Sequence, residues 1–209
     1  MSGVLSREDL WKQMKSLARR SKDLDDNWQL HQTTIPCGES DFYLTKKAQK
    51  LVPSHNPDWI DDAPPVDEID MGIDDLRKDD NEVLVAVECE RLCTIEYSIV
   101  YSRSYSVPVL YLSAWGLDGR MLHTEELTTL CSPYHKDHLM SNVWTTLTQV
   151  EHPIRQTVCY MLHPCKTSHL MAQLPRGMDD RRENYLIQWL SSVGPAVGLD
   201  MPIEYASVQ

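Results

Sequence analysis

The sequence predicts an α+β domain: an antiparallel sheet with helices packed on it and one acidic segment set into it. Two kinds of pattern carry this expectation. Apolar residues recur at helical spacing near both ends, at Leu10, Trp11, Met14, Leu17 and Ala18, and again at Tyr185, Leu186, Trp189, Leu190 and Val193. Between them lie short runs rich in Val, Ile, Tyr and Leu, bounded by turn residues, which read as strands. The order helix, strands, turn-rich middle, helix fits helices laid against an antiparallel sheet.

Ser6, followed three residues later by Asp9, resembles a capping signal and opens the first helix. Lys12, Lys15, Arg19 and Arg20 lie mostly opposite its apolar face. Residues 28–34 and 41–52 read as strands joined by a loop containing Pro36 and Gly38. Over 53–81 the composition turns to Pro and Asp with few large apolar residues. Such a segment cannot bury enough surface to offset its ordering entropy, and it is expected as a disordered acidic insertion in a single domain spanning 1–209.

Residues 82–87, 94–102 and 107–115 are the next expected strands; in the second, Ile95, Tyr97, Ile99 and Tyr101 alternate with Glu96, Ser98 and Val100. Gly116 to Gly119 supply a turn. Thr124 is expected to cap a short helix through Leu130, with Glu125 and Glu126 in its first turn. A strand over 157–162 delivers the chain to His163-Pro164-Cys165. A short helix over 169–174 follows, with Thr167 or Ser168 as its cap. The last helix spans 181–193, with Gly194 at its C-terminal cap and Pro195 preventing continuation.

Charge narrows the function classes. The net charge is −11, but 58–82 holds eleven acidic and two basic residues and so carries nine of those charges. No basic stripe is present, and no nucleic-acid partner is expected. No apolar run approaches the roughly 20 residues that span a bilayer, so no stable membrane insertion is expected. The opening residues lack a hydrophobic signal core, and a cytoplasmic location, with reduced thiols, is expected for the six cysteines.

Motifs narrow them further. Cys89 with Cys93, and His135 with His138, have loose metal-ligand spacing, but strand residues four apart are separated by roughly 13 Å, and no metal is expected. Neither a Gly-x-Ser-x-Gly elbow nor a phosphate-cradling Gly-rich loop occurs, so serine hydrolysis and nucleotide binding are disfavoured and no cofactor is expected.

Cys89, Cys93 and Cys159 lie within apolar strand patterns and read as core. Cys37 and Cys131 lie near loops. Cys165 differs: it follows a strand and a proline and precedes a helix start. That places the thiol on the surface, where nearby amides and Lys166 favour thiolate.

His163-Pro-Cys-Lys-Thr167 resembles the active-site motif of the autophagy conjugating enzymes, a divergent branch of the ubiquitin-conjugating superfamily. The resemblance runs on through 96–102, 104–111, 117–120, Gln149, 151–154 and 189–199, almost continuously over the second half of the chain. These flanks are similar to the branch that makes the conjugate between modifier twelve and autophagy protein five. The Val-Gly-Pro and Val-Gly-Leu stretch, 193–199, argues against the branch that lipidates its modifier. A non-catalytic binding module of the same fold is the other alternative.

The resemblance implies a ubiquitin-conjugating-like core and a transferase working through a thioester. Autophagy activating enzyme seven would pass modifier twelve to Cys165, and a lysine of autophagy protein five would take it. ATP would be consumed by the activating enzyme. Typical members of the superfamily carry His-Pro-Asn several residues before the cysteine; here His-Pro abuts Cys165, so the Asn is missing from its usual place. Backbone N–H groups after Cys165 and the Thr167 hydroxyl are the expected oxyanion donors. His163 is expected to be structural. The resemblance also implies a tyrosine that positions the acceptor, with Tyr97 and Tyr111 as candidates and a core role open for each.

Overall fold

A computed structural model describes residues 3–34, 40–53, 90–130, 147–174 and 184–206. Six strands form one antiparallel sheet, in the spatial order β1 (Gln29–Thr34), β2 (Ser40–Pro53), β3 (Glu90–Ser102), β4 (Val107–Gly116), β6 (Val158–Leu162) and β5 (Leu147–Glu151). The helices are α1 (Arg7–Asp23), α2 (Thr124–Thr129), α3 (Thr167–Gln173) and α4 (Tyr185–Val193). The expected α+β architecture is therefore present.

Helix α1 begins as its sequence requires: the Asp9 amide donates to the Ser6 hydroxyl at 3.0 Å, satisfying one of the orphan donors of the first turn. Its Leu10, Met14 and Leu17 are buried against Ile95, Tyr97 and Ile99 of β3, Leu110 and Leu112 of β4, and Leu186, Trp189 and Leu190 of α4. Helix α4 takes its N-terminal cap from a distant residue. The buried Gln13 side chain of α1 accepts the Leu186 amide at 2.7 Å, which ties the two helices together.

Several expectations shift by a residue or more. Pro53, placed at the head of the insertion, is the last residue of β2 and lies opposite Glu90. The rest of 53–81, the expected strand 82–87, the Pro36–Gly38 loop, and Cys37, Cys89, Cys131, His135 and His138 lie outside the described residues. Helix α2 starts at Thr124, so His123 holds the cap position instead of Thr124, and the Glu126 carboxylate accepts the His123 amide at 2.7 Å.

Gly194 follows α4 at the cap but with a right-handed φ of −56°. There the chain tightens into a 3₁₀ turn, Gly194–Val197, and only Gly198 is left-handed. Gly194 is needed for another reason: a Cβ there would lie 2.5 Å from the Leu199 carbonyl oxygen. Strand β5 was not foreseen. It is short and largely polar, so only its pairing with β6 reveals it.

Glu96 and Ser98, which alternate with the apolar residues of β3, are both buried. The chain after β5 folds across them. Arg155 and Lys47 pair with Glu96. The His152 ring is buried among Ser98, Tyr43 and Tyr111. Its Nδ1 accepts the amides of Ile154 (3.2 Å) and Arg155 (3.1 Å), so Nε2–H must donate to the Ser98 hydroxyl at 2.9 Å. A histidine in this tautomer cannot accept a proton from that serine, so the pair is a structural latch.

Burial lowers the pKa of His152 from 6.5 to about 4. The unfolded chain therefore takes up a proton that the folded one refuses. This contribution to stability is complete above pH 6.5 and is lost as pH falls towards about 4, amounting to about 3 kcal/mol. Urea unfolding midpoints across that window should fall more steeply for the wild type than for His152→Gln. Parallel falls would remove the latch from the account.

Candidate active site

Strand β6 lies between β4 and β5 and delivers the chain to the turn that carries Cys165. His163 is extended, with φ −62° and ψ 127°, as a residue preceding proline prefers. Pro164 then opens a 3₁₀ turn, Pro164–Lys166, which runs directly into α3. Pro164 and Thr167 are buried, while His163 and Cys165 are exposed. The turn thus buries its proline and leaves the cysteine exposed beside it.

Two hydrogen bonds set the turn. The Cys165 amide donates to His163 Nδ1 at 3.2 Å, and the Thr167 amide donates to the Pro164 carbonyl. His163 is therefore the cap of the turn. An extended strand would have left it roughly 6–7 Å from residue 165, but the bend at Pro164 folds the ring back onto the Cys165 amide. Neither Thr167 nor Ser168 caps α3, because the preceding 3₁₀ turn already occupies the entry; Lys166 holds the cap position without a side-chain cap bond. The Thr167 amide is engaged by Pro164 and is not an open donor for an oxyanion.

The neighbouring thiols differ from Cys165. Cys93 and Cys159 are almost fully buried. Burial raises the pKa of Cys93 and pushes Cys159 up to about 11, so both remain protonated thiols. Cys165 is an exposed residue, which separates it from both. Among the described residues, no group of three or more His, Cys, Asp or Glu side chains is placed to hold a metal ion. Among them also, no helix is long and apolar enough to cross a membrane.

The two candidate tyrosines are in the sheet. Tyr97 is fully buried on the helix-covered face, and its hydroxyl donates to the Val197 carbonyl at 2.9 Å. That bond links β3 to the 3₁₀ turn after α4, and the core role is the one the geometry fits. Tyr111 lies on the opposite face with Val100, Val109 and Cys159, and burial raises its pKa. It pairs in register with Met161, four residues before Cys165.

Tyr105 was not singled out from the sequence, although it reaches the site. It is exposed in the turn between β3 and β4, and its ring meets His163 edge-on with centroids 5.8 Å apart. An aromatic among the polar residues Ser102 to Ser106 was the available signal.

Comparison with known proteins places these features in context. The family described as "Autophagocytosis associated protein, active-site domain" matches residues 11–204. "Ubiquitin-like-conjugating enzyme ATG10" of Homo sapiens is 40% identical over 134 residues, covering 63% of this chain and 61% of that protein. Its counterpart of the same name in Dictyostelium discoideum is 35% identical over 120 residues, covering 52% of each chain. The chain thus matches less than two thirds of the length of either relative. A solved structure titled "Crystal structure of Autophagic E2, Atg10" aligns with a TM-score of 0.49 and 16% identity, over 94% of this chain and 99% of that one.

The cap is testable by itself. His163→Ala should cost the turn about 1 kcal/mol and speed hydrogen exchange of the Cys165 amide about fivefold. His163→Asn, whose side-chain oxygen can accept the same amide, should restore much of the protection. Equal exchange in all three proteins would show that the ring does not cap the turn.

Proposed function

Because this chain belongs to the family of the autophagocytosis-associated active-site domain, we propose that it is a ubiquitin-like-conjugating enzyme of autophagy working through Cys165. The observation that carries this reading is the exposed cysteine, held on a proline-initiated turn within the matched region. The resemblance of its flanks extends the proposal to the partners. The donor is an activating enzyme (seven) charged with modifier twelve, and the acceptor is a lysine of autophagy protein five. The cytoplasm is the proposed site of action.

The chemistry needs few groups. The Cys165 thiol gives its proton to solvent, and its sulfur attacks the modifier's C-terminal carbonyl carbon. The carbon–sulfur bond to the activating enzyme breaks, and that enzyme's cysteine leaves as a thiolate. The acceptor amine then attacks the new thioester, the Cys165 sulfur leaves as a thiolate, the amine's proton passes to solvent, and an isopeptide bond remains. A thiol serves both steps because it is a good nucleophile and a good leaving group.

Each attack passes through an oxyanion that needs a donor. With the Thr167 amide engaged by Pro164, the Thr167 hydroxyl is the side-chain donor assigned to it in this scheme. His163 supports the turn through its cap.

Incubation with activating enzyme, ATP and modifier should yield an adduct that reducing agent cleaves. Cys165→Ser should convert it to an oxygen ester that survives reductant, and an adduct that persists in Cys165→Ala would overturn the assignment. Thr167→Val, which keeps the side-chain shape and removes the hydroxyl, should slow both acyl transfers about a hundredfold. Wild-type rates in that variant would remove the hydroxyl from the scheme.

A further inference from the structure

Residues 3–5 run ahead of α1 and touch both supports of the Cys165 turn. On one side, the Leu5 amide donates to the Ser106 carbonyl at 2.9 Å, and the Tyr101 hydroxyl donates to the Leu5 carbonyl at 3.1 Å. These bonds fasten the segment to the β3–β4 hairpin, whose Tyr105 meets His163. On the other side, Gly3 is buried against α3. A Cβ on Gly3 would lie 1.8 Å from the Ser168 carbonyl oxygen and 2.8 Å from the Ala172 amide nitrogen, the two groups that close one helical turn of α3. Only a residue without a side chain permits this approach.

The segment is also held from α4. The Tyr185 hydroxyl donates to the Gly3 carbonyl at 2.7 Å. Burial raises the pKa of that hydroxyl, so it stays protonated and remains a donor. Tyr185 is itself well fixed, since the next amide along, that of Leu186, is bound by Gln13 of α1. Val4, between the two anchored residues, has an exposed side chain.

We infer that residues 3–5 form a strap that sets the position of the Cys165 turn for acyl transfer, with Gly3 and Tyr185 as its positioning residues. The inference rests on the thioester reading given above. Its physical basis is that the strap joins the hairpin to α3, the two elements between which the thiol turn is suspended. A side chain at position 3 would push α3 away from the hairpin and shift the sulfur. Displacements of that kind cost rate even when the reacting groups are unchanged.

The test uses the full chain, loaded with modifier and then mixed with acceptor under single-turnover conditions. Discharge measured on already loaded enzyme counts only folded molecules, so a simple loss of folded protein does not move it. Gly3→Ala should lower the discharge rate at saturating acceptor about tenfold or more, without raising the acceptor concentration needed for half saturation. Hydrogen exchange should quicken at the amides of 165–170 and stay unchanged in β3 and β4.

Tyr185→Phe, which keeps the ring and removes only the hydroxyl, should give a smaller change in the same direction and covers the case in which Gly3→Ala folds poorly. Val4→Ala should behave as the wild type. Unchanged discharge and unchanged local exchange in both Gly3→Ala and Tyr185→Phe would overturn the strap. So would a lowered melting temperature with discharge and local exchange unaltered, since that is a stabilising contact and nothing more. If the wild type never loads, the thioester reading fails instead, and the exchange measurement still decides whether the strap holds the turn.

Discussion

The burial of Ile95, Tyr97, Ile99, Leu110 and Leu112 beneath α1 and α4 is the constraint from which the rest of the molecule is positioned. Each such side chain contributes on the order of 1.5–3 kcal/mol when removed from water, so this face holds β3 and β4 in one register. Strand β6 then pairs with β4 through Tyr111 and Leu112, and β6 aims the chain at the site turn. A shift of one residue in that pairing would exchange Tyr160 and Leu162, which face the helices, with Cys159 and Met161, which face the other way. The location of the thiol is in this sense a consequence of core packing.

The sheet's second face shows how polar residues can be buried within such a framework. Glu96 is neutralised by Arg155 and Lys47, and Ser98 is satisfied by His152. The loop that supplies His152 and Arg155 lies between β5 and β6, so it also braces the strand that leads to Cys165. Buried polar groups without such partners would cost several kcal/mol, which makes this loop an obligatory part of the sheet.

At the thiol itself, local chemistry and long-range support have different tasks. The His-Pro junction dictates an extended residue followed by a turn, and the His163 ring closes that turn on the Cys165 amide. Tyr105, the strap at residues 3–5 and α3 then fix where the turn sits relative to the sheet. The C-terminal Val-Gly-Pro and Val-Gly-Leu stretch has a comparable role at a distance. Gly194 admits the Leu199 carbonyl, Gly198 supplies the left-handed turn, and Val197 receives the Tyr97 hydroxyl.

The sequence by itself determined α1, α4, β1 to β4 and β6, because periodicity and turn residues are local properties that each segment carries alone. It also singled out Cys165, through a proline that dictates backbone direction whatever surrounds it. Strand β5, the burial of Glu96 and Ser98, and the placement of Tyr105 and Gly3 were decided only by tertiary structure. Strand β5 shows itself only through its hairpin partner β6, and the others depend on partners remote in sequence: Arg155 and His152 for the polar side chains, His163 for the tyrosine and the backbone of α3 for the glycine. No local pattern records a contact whose other half lies scores of residues away.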